Sequence, residues 1–142
     1  MRFTPADTDA AVTWTLIRAA RTIKNRLTVV IAEHGLTPVQ MGVLVQVATY
    51  ESLTRAELAR LTLTTPQSMA GVIEGMVAKG LIEFRGEGGK GRPNPVWLTA
   101  QGEATLEALW PAFMEANSPA ALGLSEAEAA SLNDVLHHLR QL

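Results

Sequence analysis

The sequence contains no cysteine, which excludes disulfides, thiolate nucleophiles, cysteine zinc ligands and thiol redox sensing together. It also has no apolar run near the roughly 18 residues that a membrane-spanning helix needs. Residues 1–9 are polar and acidic, unlike a secretory signal. We therefore expect a cytoplasmic protein without a membrane partner.

Side chains arranged for catalysis are lacking as well. Residues 86–91 match the Gly-x-Gly-x-x-Gly dinucleotide fingerprint, but residues 92–95 contain two prolines where that motif requires a helix. Asp134, His137 and His138 stand at helical spacing without a complete set of metal ligands, and histidines near a helix end more often complement its dipole. No serine lies in a nucleophile elbow. We expect no enzyme activity, no catalytic residue, no metal and no cofactor.

Charge is scarce and unevenly placed along the chain. The 142 residues carry a net charge of -2, with 47% hydrophobic and 18% charged residues, which suits one compact domain spanning residues 1–142. Residues 54–99 hold six basic and four acidic side chains, so this segment is +2 and the remainder is -4. A basic centre between acidic flanks is typical of a DNA-facing module on a helical body.

Periodicity and caps predict six helices. Apolar residues every 3.6 positions predict a first helix from about Thr8 to His34, ended by Gly35. The starts of four further helices are marked by Thr37-Pro38 with Gln40, Thr54 with Glu57 and a Leu53–Leu58 staple, Thr65-Pro66, and Ser125 with Glu128. A remaining helix runs from about Ala100 to Asn117, with a kink expected at Pro111.

The third predicted helix is short, and strand-like residues follow the fourth. The third ends near Leu61, and the fourth closes at Lys79-Gly80. Residues that we expect the fourth helix to bury are Met69, Val72, Ile73, Met76 and Val77. Leu81–Arg85 and Val96–Thr99 are strand-like and enclose a glycine-rich segment, which predicts a hairpin, and the sixth helix is expected to reach Leu142.

This order of elements resembles the MarR family of winged-helix regulators over nearly the whole chain. Local sequences that carry the resemblance are Leu58-Ala59, Thr65-Pro66-Gln67-Ser68-Met69, Lys79-Gly80-Leu81-Ile82, and Arg92 leading to Leu98-Thr99-Ala100-Gln101-Gly102. The resemblance implies a mainly α fold with a small β-hairpin wing. It also implies a winged helix-turn-helix lobe at about residues 37–99 and a dimerisation body built from about residues 8–34 and 100–142.

The same resemblance places the fourth helix in the major groove of double-stranded DNA and the wing in the minor groove. A helix that buries its apolar stripe turns Gln67, Ser68, Ala70, Gly71 and Glu74 outward. Gln67 can read adenine bidentately, and the backbone amides at the helix start favour a phosphate. The family often has arginine at the place of Gly71, and Glu74 would face an anionic groove.

Nine residues are therefore candidates for DNA contact. They are Arg55, Thr65, Pro66, Gln67, Ser68, Ala70, Gly71, Lys90 and Arg92. Arg92 is suited to the negative potential of a narrow minor groove, and Lys90 to a phosphate. The alternative for each of them is an ordinary solvated face or hairpin tip.

Many family members respond to small, often aromatic, molecules. Trp14, Met41 and Trp110 are candidates for lining such a site, with core or dimer packing as the alternative. The prediction is thus a bacterial, homodimeric, DNA-binding regulator, acting as a repressor on a pseudo-palindromic operator and released by a small effector such as an aromatic molecule. The alternative is a dimeric interaction module whose DNA binding is weak or lost.

Overall fold

The computed structural model describes residues 4–50, 52–86 and 94–141. Its helices are α1 Pro5–Asp9, α2 Val12–Ala32, α3 Pro38–Thr49, α4 Arg55–Leu61, α5 Pro66–Ala78, α6 Ala100–Ala116 and α7 Glu126–Leu139. Strands β1 Ile82–Phe84 and β2 Val96–Leu98 form one antiparallel hairpin, and a 3₁₀ turn, Ala120–Leu122, joins α6 to α7. The predicted mainly α fold with a β-hairpin wing is confirmed.

Three of the helix starts are closed by the predicted capping boxes. In α3, α4 and α7 the cap hydroxyl accepts the N3 backbone N–H, while the N3 side chain accepts the cap's own N–H. The caps are Thr37, Thr54 and Ser125. Each box satisfies two backbone donors that the helix leaves unpaired. Because the two side chains of a box stand three positions apart, these helix starts could be predicted from the sequence.

The predicted single N-terminal helix is wrong, because the chain forms two helices there. Thr4 and Asp7 make a capping box that opens the five-residue α1. Ala11 then has an extended backbone (φ −80°, ψ 100°) and lacks a side-chain cap, so α2 starts afresh at Val12. The predicted apolar stripe begins only at Val12, after the break, so periodicity contained no information on the segment before it.

The core of the lobe forms where α5 packs against α4 and the hairpin. Met69, Ile73 and Met76 of α5 are fully buried, as predicted. Val72 is half-buried and Val77 is exposed, so the expectation that α5 buries Val77 is wrong. Val77 lies at the edge of the stripe, eight residues and about 80° from Met69 on a regular helix.

The hairpin is shorter than predicted and gains a third segment. Ile82 pairs with Leu98 and Phe84 with Val96. The backbone N–H of Val96 also donates to the carbonyl of Leu53 (3.0 Å), which makes an isolated bridge beside the hairpin. Leu53 therefore fastens the wing to the start of α4, a role that its prediction as a helix staple did not include.

The helices outside the lobe leave much apolar surface uncovered. Large exposed hydrophobic residues on α2, α6 and α7 are Val12, Trp14, Leu16, Ile17, Val29, Trp110, Met114, Leu132, Val135 and Leu139. Helix α7 buries none of its residues, and α6 is helical across Pro111. The predicted end at Leu142 lies outside the described residues, within which α7 stops at Leu139. Among the described helices, none combines the length and the apolar character that membrane crossing requires.

Candidate functional site

Helix α5 separates a buried face from an exposed one. Opposite the buried Met69 and Ile73, the side chains of Gln67 and Ser68 and the backbone of Gly71 are exposed. Ala70, predicted to point outward, is half-buried at the margin of this face. The exposed face thus keeps Gln67, Ser68 and Gly71 together on the first two turns.

The start of α5 is built around Thr65. Its hydroxyl oxygen accepts the backbone N–H of Ser68 (3.2 Å), and the hydroxyl donates to Ser68 Oγ (2.9 Å). Ser68 therefore accepts a hydrogen bond from within the helix and keeps its own hydroxyl proton for an outside acceptor. Pro66 occupies the first helical position, where a missing N–H costs nothing. The geometry leaves the N–H of Gln67 facing solvent as a donor suited to a phosphate.

The turn between α4 and α5 contains a left-handed residue. Leu63 has φ +55°, a conformation that a branched side chain adopts at a cost, and its side chain is 96% exposed. The sequence did not indicate the left-handed conformation of Leu63, because an exposed leucine in a turn belongs to no periodic apolar pattern.

Replacing Leu63 by asparagine should raise the free energy of unfolding by about 0.5–1 kcal/mol, since asparagine tolerates left-handed backbone and no buried contact is lost. Urea titration followed by circular dichroism measures the difference. Leu63→Val is the control, because a β-branched side chain is less compatible with positive φ and should lower stability. A Leu63→Asn protein no more stable than wild type would contradict the left-handed assignment.

Arg55 stands at the first position of α4 and reaches the wing. Its guanidinium carbon lies 5.0 Å from the centroid of the Phe84 ring on β1, a cation–π contact. Hydrogen bonds from the backbone N–H and the hydroxyl of Thr54 hold the pKa of Glu57 below its ordinary value, which favours the ionised carboxylate near Arg55. Arg55 keeps exposed surface beside a 530 Å³ depression that Thr54 and Phe84 also line.

The other face of the hairpin carries a second arginine that sequence analysis did not select. Arg85 Nε donates to Glu83 Oε1 (2.6 Å), and its guanidinium carbon lies 5.2 Å from the centroid of Trp97. Glu83 and Trp97 are directly paired across the strands. Glu83 and Arg85 on one strand and Trp97 on the other alternate with the residues that face inward. This alternation could have indicated from the sequence that the three side chains share one face of the hairpin. Lys90 and Arg92, the predicted wing contacts, lie outside the described residues.

A cavity of about 670 Å³ opens between α2, α3, α6 and α7. Met41 and Trp110 both line it, whereas Trp14 is absent from its lining and half exposed, so the structure brings together two of the three predicted effector residues. Among the described residues of the lining, Lys24 is the one charged side chain. In the sequence Lys24 directly follows Ile23 of the apolar stripe, and this position could have indicated that Lys24 lies at the edge of an apolar site. Within the described part of the chain, no group of three histidine or carboxylate side chains is arranged to hold a metal ion.

A family model and several solved structures of known proteins are similar to this chain. The model of the MarR family matches residues 34–93. A probable transcriptional regulator from Pseudomonas aeruginosa is 30% identical, with 92% of this chain and 98% of that chain covered and a TM-score of 0.79. No match was found among curated protein sequences.

Two further solved structures share the fold at lower identity. A MarR family transcriptional regulator from Silicibacter pomeroyi is 18% identical, covering 97% of this chain and 93% of that chain, with a TM-score of 0.81. The Mycobacterium tuberculosis MarR family protein Rv2887, in complex with DNA, is 23% identical, covering 90% of this chain and 96% of that chain, with a TM-score of 0.74. The same mycobacterial protein has also been solved with salicylic acid. With its capped helix α5 beside a β-hairpin wing, this chain belongs to the MarR family of winged-helix, DNA-binding transcriptional regulators.

Proposed function

We propose that this chain is a homodimeric repressor that places α5 in the major groove of each half of a pseudo-palindromic operator. The observation that carries the proposal is the two-faced α5, with Met69, Ile73 and Met76 fully buried and Gln67 and Ser68 exposed beside the capped start. A helix held this rigidly presents its polar face in one orientation, which sequence-specific reading requires.

Dimerisation is supported by the helices outside the lobe. Helix α7 buries none of its residues, although Leu132, Val135 and Leu139 lie along one side of it. A monomer would leave this stripe and the exposed apolar residues of α2 in water. A twofold partner that covers both would also set the spacing between two copies of α5.

Regulation by a small aromatic acid is supported by the cavity between α2, α3, α6 and α7. Its walls are apolar except for Lys24 and Gln46, so an aromatic ring fits the walls and a carboxylate suits Lys24. Rv2887, crystallised with salicylic acid, is the relative that motivates this choice of ligand. A ligand that binds better when the dimerisation body and the winged helix-turn-helix lobe are at a spacing unsuited to DNA would shift the protein away from its DNA-binding arrangement.

Lys24→Met should weaken salicylate binding about 10-fold or more, because the carboxylate loses a charged partner while the apolar stem is retained. Isothermal titration calorimetry with salicylate measures this, and Arg21→Met, an exposed α2 residue absent from the cavity lining, is the control. Equal salicylate affinity in wild type and Lys24→Met would contradict the assignment of Lys24.

The DNA contacts are tested by titrating two variants on operator and scrambled duplexes. Gln67→Ala should cost about 1–3 kcal/mol on the operator and leave non-specific affinity unchanged, because it removes a base contact. Arg92→Ala should weaken binding to both duplexes and reduce the salt slope by about one unit, because it removes a cation from the phosphate field. Arg92→Ala binding like wild type on every duplex would remove the wing assignment.

A dimeric interaction module without DNA binding is the competing function. The small residues Ala70, Gly71 and Gly75 on α5 favour it, because they offer a duplex few contacts. Failure of the wild-type protein to shift any duplex at low salt, while remaining a dimer, would support this alternative.

A further inference from the structure

One exposed side chain of α5 is not used by the contacts proposed above. Gln67, Gly71 and Glu74 are separated by four and three residues, so they fall on one stripe of the helix, and all three are exposed. Glu74 is the acidic member of this stripe, one turn beyond Gly71. A carboxylate there would ordinarily weaken binding to an anionic groove, so its presence calls for a specific partner.

Two glycines flank Glu74 on the exposed face of α5, at positions 71 and 75. A methyl group at Gly71 or at Gly75 would meet nothing within 4 Å, so both glycine positions face open space. Among the described residues, the ion pairs are Arg18–Asp9 and Arg85–Glu83, and neither involves Glu74. Because Gly71 and Gly75 lack side chains, the helix can approach base edges closely there, and the Glu74 carboxylate is the charged group between them.

The chemistry of a carboxylate restricts what it can read. An ionised carboxylate only accepts hydrogen bonds, and the major-groove edges of guanine and thymine present acceptors that repel it. Adenine presents an amino donor next to the N7 acceptor, whereas cytosine presents its N4 amino group without an adjacent acceptor. Cytosine is therefore the base that suits Glu74.

We propose that Glu74 is a specificity-determining residue that accepts a hydrogen bond from the N4 amino group of one cytosine in each half-site. The proposal rests on the proposed function, since it needs α5 in the major groove. Seven residues separate Glu74 from Gln67, about 10 Å along a helix, so the cytosine should lie within about three base pairs of the base that Gln67 reads.

Selection of bound duplexes from a random library, with the full-length dimer, tests the assignment. Wild type should select cytosine at one position that recurs symmetrically in both half-sites. Glu74→Ala should lose preference at that position alone, and Glu74→Gln should shift it toward adenine, which a glutamine amide reads bidentately. In direct titration, a cytosine-to-thymine change there should weaken wild-type binding about 10- to 100-fold and affect Glu74→Ala less than 2-fold.

A matched charge control separates base reading from general repulsion. Glu33→Ala removes one exposed negative charge from the end of α2 rather than from α5 and should keep the wild-type base preferences. If Glu74→Ala keeps every base preference of wild type and only binds all duplexes more tightly, Glu74 acts through charge alone and the proposal is wrong. If wild type selects no duplex at all, the proposed DNA-binding function is wrong. This result is distinguishable from the one in which wild type and Glu74→Ala share every base preference.

Discussion

Gly102→Ala should lower the free energy of unfolding by about 3 kcal/mol or more, the largest effect that we expect from a methyl group at any glycine that the structure describes. Gly102 is buried in the first turn of α6, and a Cβ there would lie 2.0 Å from the carbonyl oxygen and 3.0 Å from the carbonyl carbon of Leu81. Both atoms belong to the backbone, so no flexible side chain can move aside.

Thr99 ties the contacted carbonyl of Leu81 and its surroundings to the start of α6. It accepts the backbone N–H of Thr99 (3.2 Å), while the Thr99 hydroxyl donates to the carbonyl of Gly80 and accepts the N–H of Gly102 (3.0 Å). Relief of the clash therefore requires α6 to move away from the strand, which would expose the fully buried Leu109 farther along the same helix.

Thermal unfolding at one fixed protein concentration measures the effect, and about 3 kcal/mol corresponds to a Tm lower by about 6–12 °C. Gly75→Ala is the matched control, because a methyl group there meets nothing within 4 Å and alanine is the better helix former by about 0.5–1 kcal/mol. A Gly102→Ala protein with the Tm of wild type would show that α6 does not approach Leu81 as described.

The second large effect is expected from two charges on the apolar stripe of α7. Val135→Glu with Leu139→Lys should convert the dimer to a monomer and raise the dimer dissociation constant more than about 100-fold, because each partner would bury charges against an apolar surface. Both positions are exposed in the single chain, so folding of the monomer loses no core contact. The two new residues also form an i, i+4 Glu–Lys pair that supports the helix.

Asn133→Glu with His137→Lys provides the control for these substitutions. It introduces the same pair at the same spacing on the other side of α7, where both residues are exposed and polar. Light scattering across micromolar concentrations should give dimer mass for the control and monomer mass for the stripe variant. Dimer mass for both variants would place the interface away from α7.

Much of the fold could be predicted because it is specified by local chemistry. The capping boxes at Thr37, Thr54 and Ser125 act through residues three positions apart, so the sequence contains the whole device. Gly35 and Gly80 adopt positive φ (+72° and +70°) after helices α2 and α5, and both were predicted as helix ends for that reason.

The features that sequence analysis missed depend on contacts between distant residues. The Leu53–Val96 bridge and the approach of Gly102 to Leu81 join segments that are far apart in sequence, and neither leaves a periodic pattern. The cavity likewise gathers Met41 and Trp110 but not Trp14, a distinction set by how α2 faces its neighbours. Helix propensity and spacing contain no information on such approaches.

Titration of the wild-type protein with duplex from its own promoter region, at several salt concentrations, measures both its attraction to phosphates and its preference for one sequence. We expect the logarithm of the association constant to fall linearly with the logarithm of salt concentration. If six or more phosphates are contacted, affinity should drop by about 10³-fold or more between about 50 and 200 mM salt, while a scrambled duplex binds more weakly throughout. Salt-insensitive binding, equal affinity for both duplexes, or no binding at low salt would contradict these expectations.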